Sequence, residues 1–560
     1  QGKGQGLSGE GLALDSAAIK VQGTAWPPRS GRLEAHGAGW KTPLGVFSKA
    51  GLTSHGDAGR WTFGFHGSAP GLQAELSGGA DYQDRSLALR LDRCRLKTPQ
   101  VSLSNLGVVR LRVHPGWEIG PAGFQVNDGS LTLQAQAREG RLSGRVELCD
   151  LPTDLLSLKG GLCKGKVRGV MTIGGLPSNP LLQGEISWGP GQWGNFAFRA
   201  LKTSFNYREA RLYLKGGLEE SEPGPKISWE GQIPVNLSFL PLKWSLGDRD
   251  LNFRVQGEKA NLALLTALTP EIPKAQGSLD VQAQWQGNPR HPTLSGQLRW
   301  GEGFITFRQA GLPYQLLPGQ ARLQGEKILV PEIIFKSGGT ARLSGEITLS
   351  GLIPHRVEAR AHLQDFITLR RTGSEATGNG DLTLIGPWTS PTLKGHLNIP
   401  RATFSPGFFR SEKHEDVILV KPPPPPPKNG QAAVSFPFYR NLNMDLDMDA
   451  AGGVWLKDKR LIVEVAGKVK AMKRTGQNAY WGGEVKTLRG TYELQGRSFK
   501  VENGVIRLPG APKADADLKA QATHETGGIT LKLVATGPVA KPQVRLESIP
   551  PLPPPDLLSY

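Results

Sequence analysis

Asp445, Asp447 and Asp449 stand at every second position and form a group of chemistry-bearing residues. Carboxylates so spaced resemble an acid cluster for metal binding or glycoside hydrolysis. They alternate with Met444, Leu446 and Met448, however, and that pattern sets them on the polar face of a strand whose other face is buried. The exposed strand face is the preferred reading. The ten histidines, among them His36, His66, His114, His291, His355, His396 and His524, lack the close His, Cys or carboxylate spacings of a metal site. They read as isolated polar strand residues. Gly-x-Ser-x-Gly is absent, and the nearest approach to a phosphate-binding loop, Gly160 to Gly165-Lys166, ends in Val167, which has no hydroxyl for a metal ion. Cys94, Cys149 and Cys163 are too few for a disulfide framework; Cys149 and Cys163 could pair across their short loop, but small buried residues are the preferred reading. No enzymatic activity, metal or cofactor is expected.

The elements that carry these residues repeat. Pro180-Leu181-Leu182-Gln183-Gly184, Pro292-Thr293-Leu294-Ser295-Gly296 and Pro391-Thr392-Leu393-Lys394-Gly395 share one pattern, and their glycines lie 112 and 99 residues apart. Each copy follows an Ile or Trp and a Gly: Ile173-Gly174, Trp285-Gln286-Gly287 and Ile385-Gly386. Upstream of each lies a short stretch rich in large apolar residues, Asp154-Leu155-Leu156, Asn261 to Leu265 or Asp365-Phe366-Ile367. A period of about a hundred residues exceeds one hairpin or one β-helix coil, so each unit holds several strands and one short helix. Units of this kind extend a sheet along one axis. Gly 73 and Pro 43 punctuate short runs of Val, Leu, Ile, Thr and Trp, the composition of strands and tight turns.

Alternation fixes the faces. Ala341, Leu343, Gly345, Ile347 and Leu349 share one side, as do Val357, Ala359, Ala361 and Leu363, and Leu442, Met444, Leu446 and Met448. With so little helix available as a lid, the fold expected is an all-β, elongated, folded-over sheet, a half-pipe whose interior is a continuous apolar groove. Its expected lining is Leu298, Leu343, Ile347, Leu349, Val357, Leu363, Leu382, Leu384, Leu397, Ile399, Leu442, Met444, Leu446, Val463, Val465, Leu531 and Leu533. The formal net charge of +18 reads first as a solvated exterior and second as an attraction for anionic headgroups. Lys and Arg are spread thinly, without the basic aromatic patch of a nucleic-acid module, so no nucleic acid is expected. The expected organisation is a β-groove region over 1–150, repeated units over 151–410, a proline-rich loop over 411–432 and a C-terminal β domain over 433–560. Pro422 to Pro427 must be extended polyproline II, and Pro550, Pro551, Pro553, Pro554 and Pro555 terminate the last strand.

Residues 433–560 resemble the C-terminal domain of the TamB family, within the AsmA-like group of bridging lipid-transfer proteins. The resemblance lies in an ordered set: Gly453-Val454-Trp455-Leu456, the strand Leu461 to Gly467, Leu488-Arg489-Gly490-Thr491-Tyr492-Glu493-Leu494-Gln495-Gly496-Arg497-Ser498-Phe499, then Glu502 to Leu508, Thr536-Gly537-Pro538 with Pro542, and Ser548 to Pro553. The chain departs from the pattern at Ala516, where proline is common, and in its hexaproline insertion. The resemblance implies a periplasmic bridge between inner and outer membranes, and both ends of the sequence then read as cut. No run of 18 or more apolar residues is present, so the implied inner-membrane helix would lie outside this sequence. It further implies phospholipid acyl chains as cargo and an outer-membrane barrel protein of the TamA/BamA type as partner near the C-terminus. The expected function is non-enzymatic lipid transport through the groove. The alternative is a scaffold that helps insert outer-membrane proteins with that barrel. A carbohydrate-active β-helix enzyme would need a shorter repeat.

Overall fold

The computed structural model describes residues 2–9, 12–23, 30–42, 45–57, 59–83, 86–114, 116–153, 163–220, 226–239, 241–351, 353–371, 373–405, 438–512 and 514–552. Among them the chain is all-β, and helix is confined to short pieces such as Leu265–Leu268 and Phe438–Asn441. The chain divides into two compact units. One holds residues 1–193, 197–256 and 285–289, the other 194–196, 257–284 and 290–560. The proline-rich loop at 411–432 and Pro553, Pro554 and Pro555 lie outside the described residues.

In the first unit consecutive strands pair antiparallel: Gly129–Arg138, Arg141–Pro152, Lys166–Leu176, Asn179–Trp188, Ala200–Arg208, Arg211–Glu219 and Ile227–Phe239. Their register aligns Leu133, Val146, Met171, Gly184, Phe205 and Leu214 in one row. One position along, Arg145, Thr172, Gln183 and Asn206 form a polar row on the opposite face. The pleat places alternate residues on opposite sides, so these two rows follow directly from the alternation.

The second unit continues the same logic over longer strands. Lys327–Ser337, Gly339–Ser350, Ile353–Arg371, Ser374–Pro387 and Thr392–Phe404 are antiparallel neighbours. Thr392–Phe404 then pairs in parallel with Asn443–Lys457, which a hairpin cannot connect. The returning chain is pinned by Lys473, only 1% exposed, whose Nζ donates to the carbonyls of Arg440 (2.9 Å) and Leu442 (2.8 Å) and sits 5.2 Å from the Tyr439 ring. Burial pushes its ammonium pKa down. From Asn443–Lys457 an antiparallel meander runs through Leu461–Lys473, Tyr480–Leu494, Arg497–Pro509, Asp517–Thr526 and Ile529–Pro538 to Gln543–Ile549.

The long strands break register in mid-length, and the breaks line up. Shifts fall at Leu363/Phe366, Thr377/Asn379, Asn398/Ala402, Ala450/Val454, Glu464/Val465 and Val501/Asn503, each next to the last across the sheet. A bulge bends its strand and raises the local twist. A row of them is a crease, along which this sheet folds over. Asp365 (φ 47°) takes the left-handed conformation at the crease, and its N–H donates to Asn379 Oδ1 at 2.5 Å. Lys259 (φ 49°), in the preceding repeat, is held the same way by Asp280 Oδ1 at 2.7 Å.

The repeated motif has a steric basis. Pro180, Pro292 and Pro391 are fully buried. A Cβ on Gly184, Gly296 or Gly395 would lie 2.3, 2.0 and 2.2 Å from the carbonyl oxygens of Val170, Gln282 and Asp381 on the preceding strand. Backbone cannot yield there as a side chain would. Gly395→Ala is therefore expected to cost about 1–3 kcal/mol in denaturant unfolding. Lys394→Ala, at the exposed neighbouring position, should stay within about 0.5 kcal/mol; equal losses would contradict the steric account.

Candidate functional site

Two packed clusters fill parts of the apolar face in the second unit. In the first, Leu262, Tyr314, Phe335, Phe366, Leu363 and Leu397 are buried together. The other, beyond the crease, gathers Val454, Val463, Val465, Phe499, Leu531 and Leu533. Leu531 is 0% exposed, with protein on every side. Leu349, Val357, Leu442 and Leu446 are also buried.

The remaining expected lining residues are half-buried. Leu343, Leu382 and Ile399 flank the packed clusters, whereas Leu298, Ile347, Leu384 and Met444 stand clear of both. Register joins Ile347 to Val357 and Ile328, and Leu384 to Ala359 and Leu393. In the first unit Leu133, Val146, Met171, Phe205 and Leu214 are half-buried in the same way. Among the described residues of that unit, a packed cluster lies elsewhere, around Trp40 and Phe47. Among the described residues, these rows are apolar positions outside the packed clusters. The sequence reading missed the row in the first unit because glycines such as Gly144, Gly169 and Gly184 interrupt its alternation; the copied Pro-x-x-x-Gly motif was the available signal.

The opposite face is a ladder of charge. Arg342, His362, Asp381, His396, Asp447 and Lys470 are successive neighbours across six strands. His362 Nδ1 lies 2.8 Å from Asp381 Oδ1, and His396 Nε2 lies 2.6 Å from Asp449 Oδ1. Lys470 Nζ reaches Asp445 Oδ1 at 2.9 Å and Asp447 Oδ1 at 3.7 Å, and the Asp445 contact raises its pKa. The three aspartates are thus spent on cross-strand partners. Among the described residues, no group of three or more His, Cys, Asp or Glu is placed to hold a metal ion. All three cysteines are free thiols, and Cys149 is exposed, which corrects the expectation of a buried residue. Its position on a strand places it with Arg145 and Glu147 on the solvent face.

Glu464 sits at the crease, 8% exposed. Its Oε1 accepts from the Gly453 N–H at 2.8 Å, and its Oε2 accepts from Arg489 Nε at 2.6 Å. Arg489 also lies 5.6 Å from the Trp455 ring. These donors, the Gly453 N–H first, hold the Glu464 carboxyl below the usual carboxylate range.

A fold of one-sided strands creased over an apolar face, with an opposite face of charged side chains, defines a class of all-β proteins that present apolar surface. Residues 332–560 match the TamB C-terminal domain, which supports assigning the chain to the TamB family. The match begins well before Gly453 and takes in the crease, the cluster beyond it and part of the first cluster. No curated protein sequence matches the chain. The domain suggests a role in the outer-membrane assembly system. No described helix is long and apolar enough to cross a membrane.

A carboxyl whose pKa is depressed by folding stabilises the fold above its unfolded pKa, and that contribution disappears as pH falls through the folded value. Glu464→Gln should therefore flatten the acid limb of the melting curve below about pH 4.3, the ordinary glutamate value. Thermal melts between neutral and acidic pH check this; an unchanged acid limb would remove Glu464 as a support of the crease.

Proposed function

We propose that this chain is a non-enzymatic conduit that carries phospholipid through the periplasm between inner and outer membranes, acyl chains on the uncovered apolar rows and headgroups in solvent. The observation that supports the reading is the half-buried row itself: Ile347, Leu384 and Met444 in one unit, Met171, Phe205 and Leu214 in the other, all outside the packed clusters of the described residues.

Burying a methylene is worth about 0.8 kcal/mol, so a lipid with roughly 30 methylenes meets a barrier on the order of 20 kcal/mol in crossing water unaided. A continuous apolar face lowers that barrier by substituting side-chain contact for water at each step. No bond is made or broken. What the face must supply is continuity, and that is what a repeat of about a hundred residues provides.

A second reading, a scaffold that helps insert outer-membrane proteins with a barrel partner, is favoured by the strand Gln543–Ile549. Among the described residues it pairs only with Ile529–Pro538, and Val544 and Ile549 are exposed. A free strand edge can extend another sheet.

Native mass spectrometry of the chain purified from a two-membrane bacterium under mild conditions separates the readings. Co-purifying phospholipid is expected, reduced about tenfold or more in Ile347→Arg and Leu384→Arg because an acyl chain would then bury an unpaired charge. Both variants should stay folded, since neither position lies in a packed cluster. A lipid-free chain that still binds a barrel partner would favour the scaffold.

A further inference from the structure

We propose that a cleft on the rim of the first unit binds a zwitterionic phosphoethanolamine headgroup, with the adjoining glycerol and acyl portion laid on Leu242 and Trp244. This rests on the conduit reading and narrows it to a headgroup class.

The cleft arises because one strand outlasts its neighbour. Ile227–Phe239 pairs with Arg211–Glu219 only as far as Pro234 opposite Arg211. Beyond that point its N–H groups find partners on successive turns of the rim: Val235 donates to Ala210 O (3.0 Å), Leu237 to the Tyr207 hydroxyl (3.0 Å) and Phe239 to Pro177 O (2.7 Å). The segment therefore runs along the rim, and Leu242–Leu246 folds back on it as a two-stranded lip. Between lip and rim lies a cleft of about 970 Å³, walled by Asn179, Glu209, Asn236, Lys243, Trp244 and Arg249, among others. That is the size of a small-molecule site.

Its charges are two cations and one anion. Arg249 Nη1 donates to Glu209 O at 2.9 Å, which fixes the guanidinium beside that residue. Among the described residues the Lys243 ammonium and the Glu209 carboxylate are in no ion pair with one another or with a third group. A phosphate alone would use the cations and be repelled by Glu209. A phosphate carrying a primary ammonium uses all three, and the ammonium has N–H donors for the carboxylate that a choline lacks. Beside the charges, Leu242 and Trp244 are each 75% exposed, and Leu176 and Leu181 are exposed at the turn below. Trp, Leu and Lys side by side suit a boundary between apolar and aqueous phases.

Calorimetric titration of the full chain with dihexanoyl phosphatidylethanolamine, phosphatidylglycerol and phosphatidylcholine, each below its micelle concentration, tests the site. The ethanolamine lipid is expected to bind about fivefold tighter than the other two, the size of one exposed ion pair. Glu209→Gln should erase that preference with the glycerol lipid unchanged, and Lys243→Glu should weaken all three. Free phosphoethanolamine should bind more weakly than the lipid, since it lacks the apolar contact; equal binding would overturn the role of Leu242 and Trp244. Equal affinity for the three lipids, or a preference that survives Glu209→Gln, would overturn the site. Because these titrations need no transfer, a chain that prefers ethanolamine but moves no lipid would sink the conduit alone, and a chain that moves lipid without preference would sink this site alone.

Discussion

Every strand here must bury one face, and there is almost no helix to bury it against. That constraint governs the second unit. Its strands are long enough to fold over, and the aligned register shifts from Leu363/Phe366 to Val501/Asn503 supply the line along which they do. Folding brings Val454, Val463, Phe499 and Leu531 into one packed cluster. It leaves Ile347, Leu384 and Met444 half-buried, outside both packed clusters. Apolar area left in water costs about 25 cal/mol per Å², so a face of this kind is stabilised by whatever apolar molecule occupies it.

Bending a sheet breaks ladder hydrogen bonds, and the broken groups need other partners. At the crease these come from side chains. Glu464 takes the Gly453 N–H, and Asn379 takes the N–H of Asp365. The outer face is organised by a different demand. Acidic and basic side chains alternate along the row from Asp381 through His396 and Asp447 to Lys470. Cross-strand pairs of opposite sign stabilise their register, and a charged outer face discourages association with other sheets.

Much of this was legible in the sequence, for local reasons. The faces of Gly339–Ser350 and Ile353–Arg371 follow from alternation, and Asp445, Asp447 and Asp449 fall on the charged face that their apolar neighbours Met444 and Leu446 require. Gly395 announces a close backbone approach because a Cβ does not fit there. What was not legible depends on distant chain. Alternation assigns Leu531 and Leu384 to the same kind of face, but only the fold determines that Leu531 meets Phe499 and its neighbours while Leu384 stays half-buried outside the packed clusters. The crease escaped for the same reason, since a bulge is a mismatch between two strands and belongs to neither. The rim cleft joins Asn179 to Arg249 through turns far apart in the chain.

The central claim is that the uncovered rows touch lipid acyl chains. Site-specific photo-crosslinking in living two-membrane cells tests it most directly, with a photoreactive residue at Leu384, at the neighbouring outward-facing Thr383, or at Phe205 in the first unit. The account predicts phospholipid adducts at Leu384 and Phe205 and none at Thr383. Adducts to protein alone at the two apolar positions, or equal lipid labelling at Thr383, would contradict it.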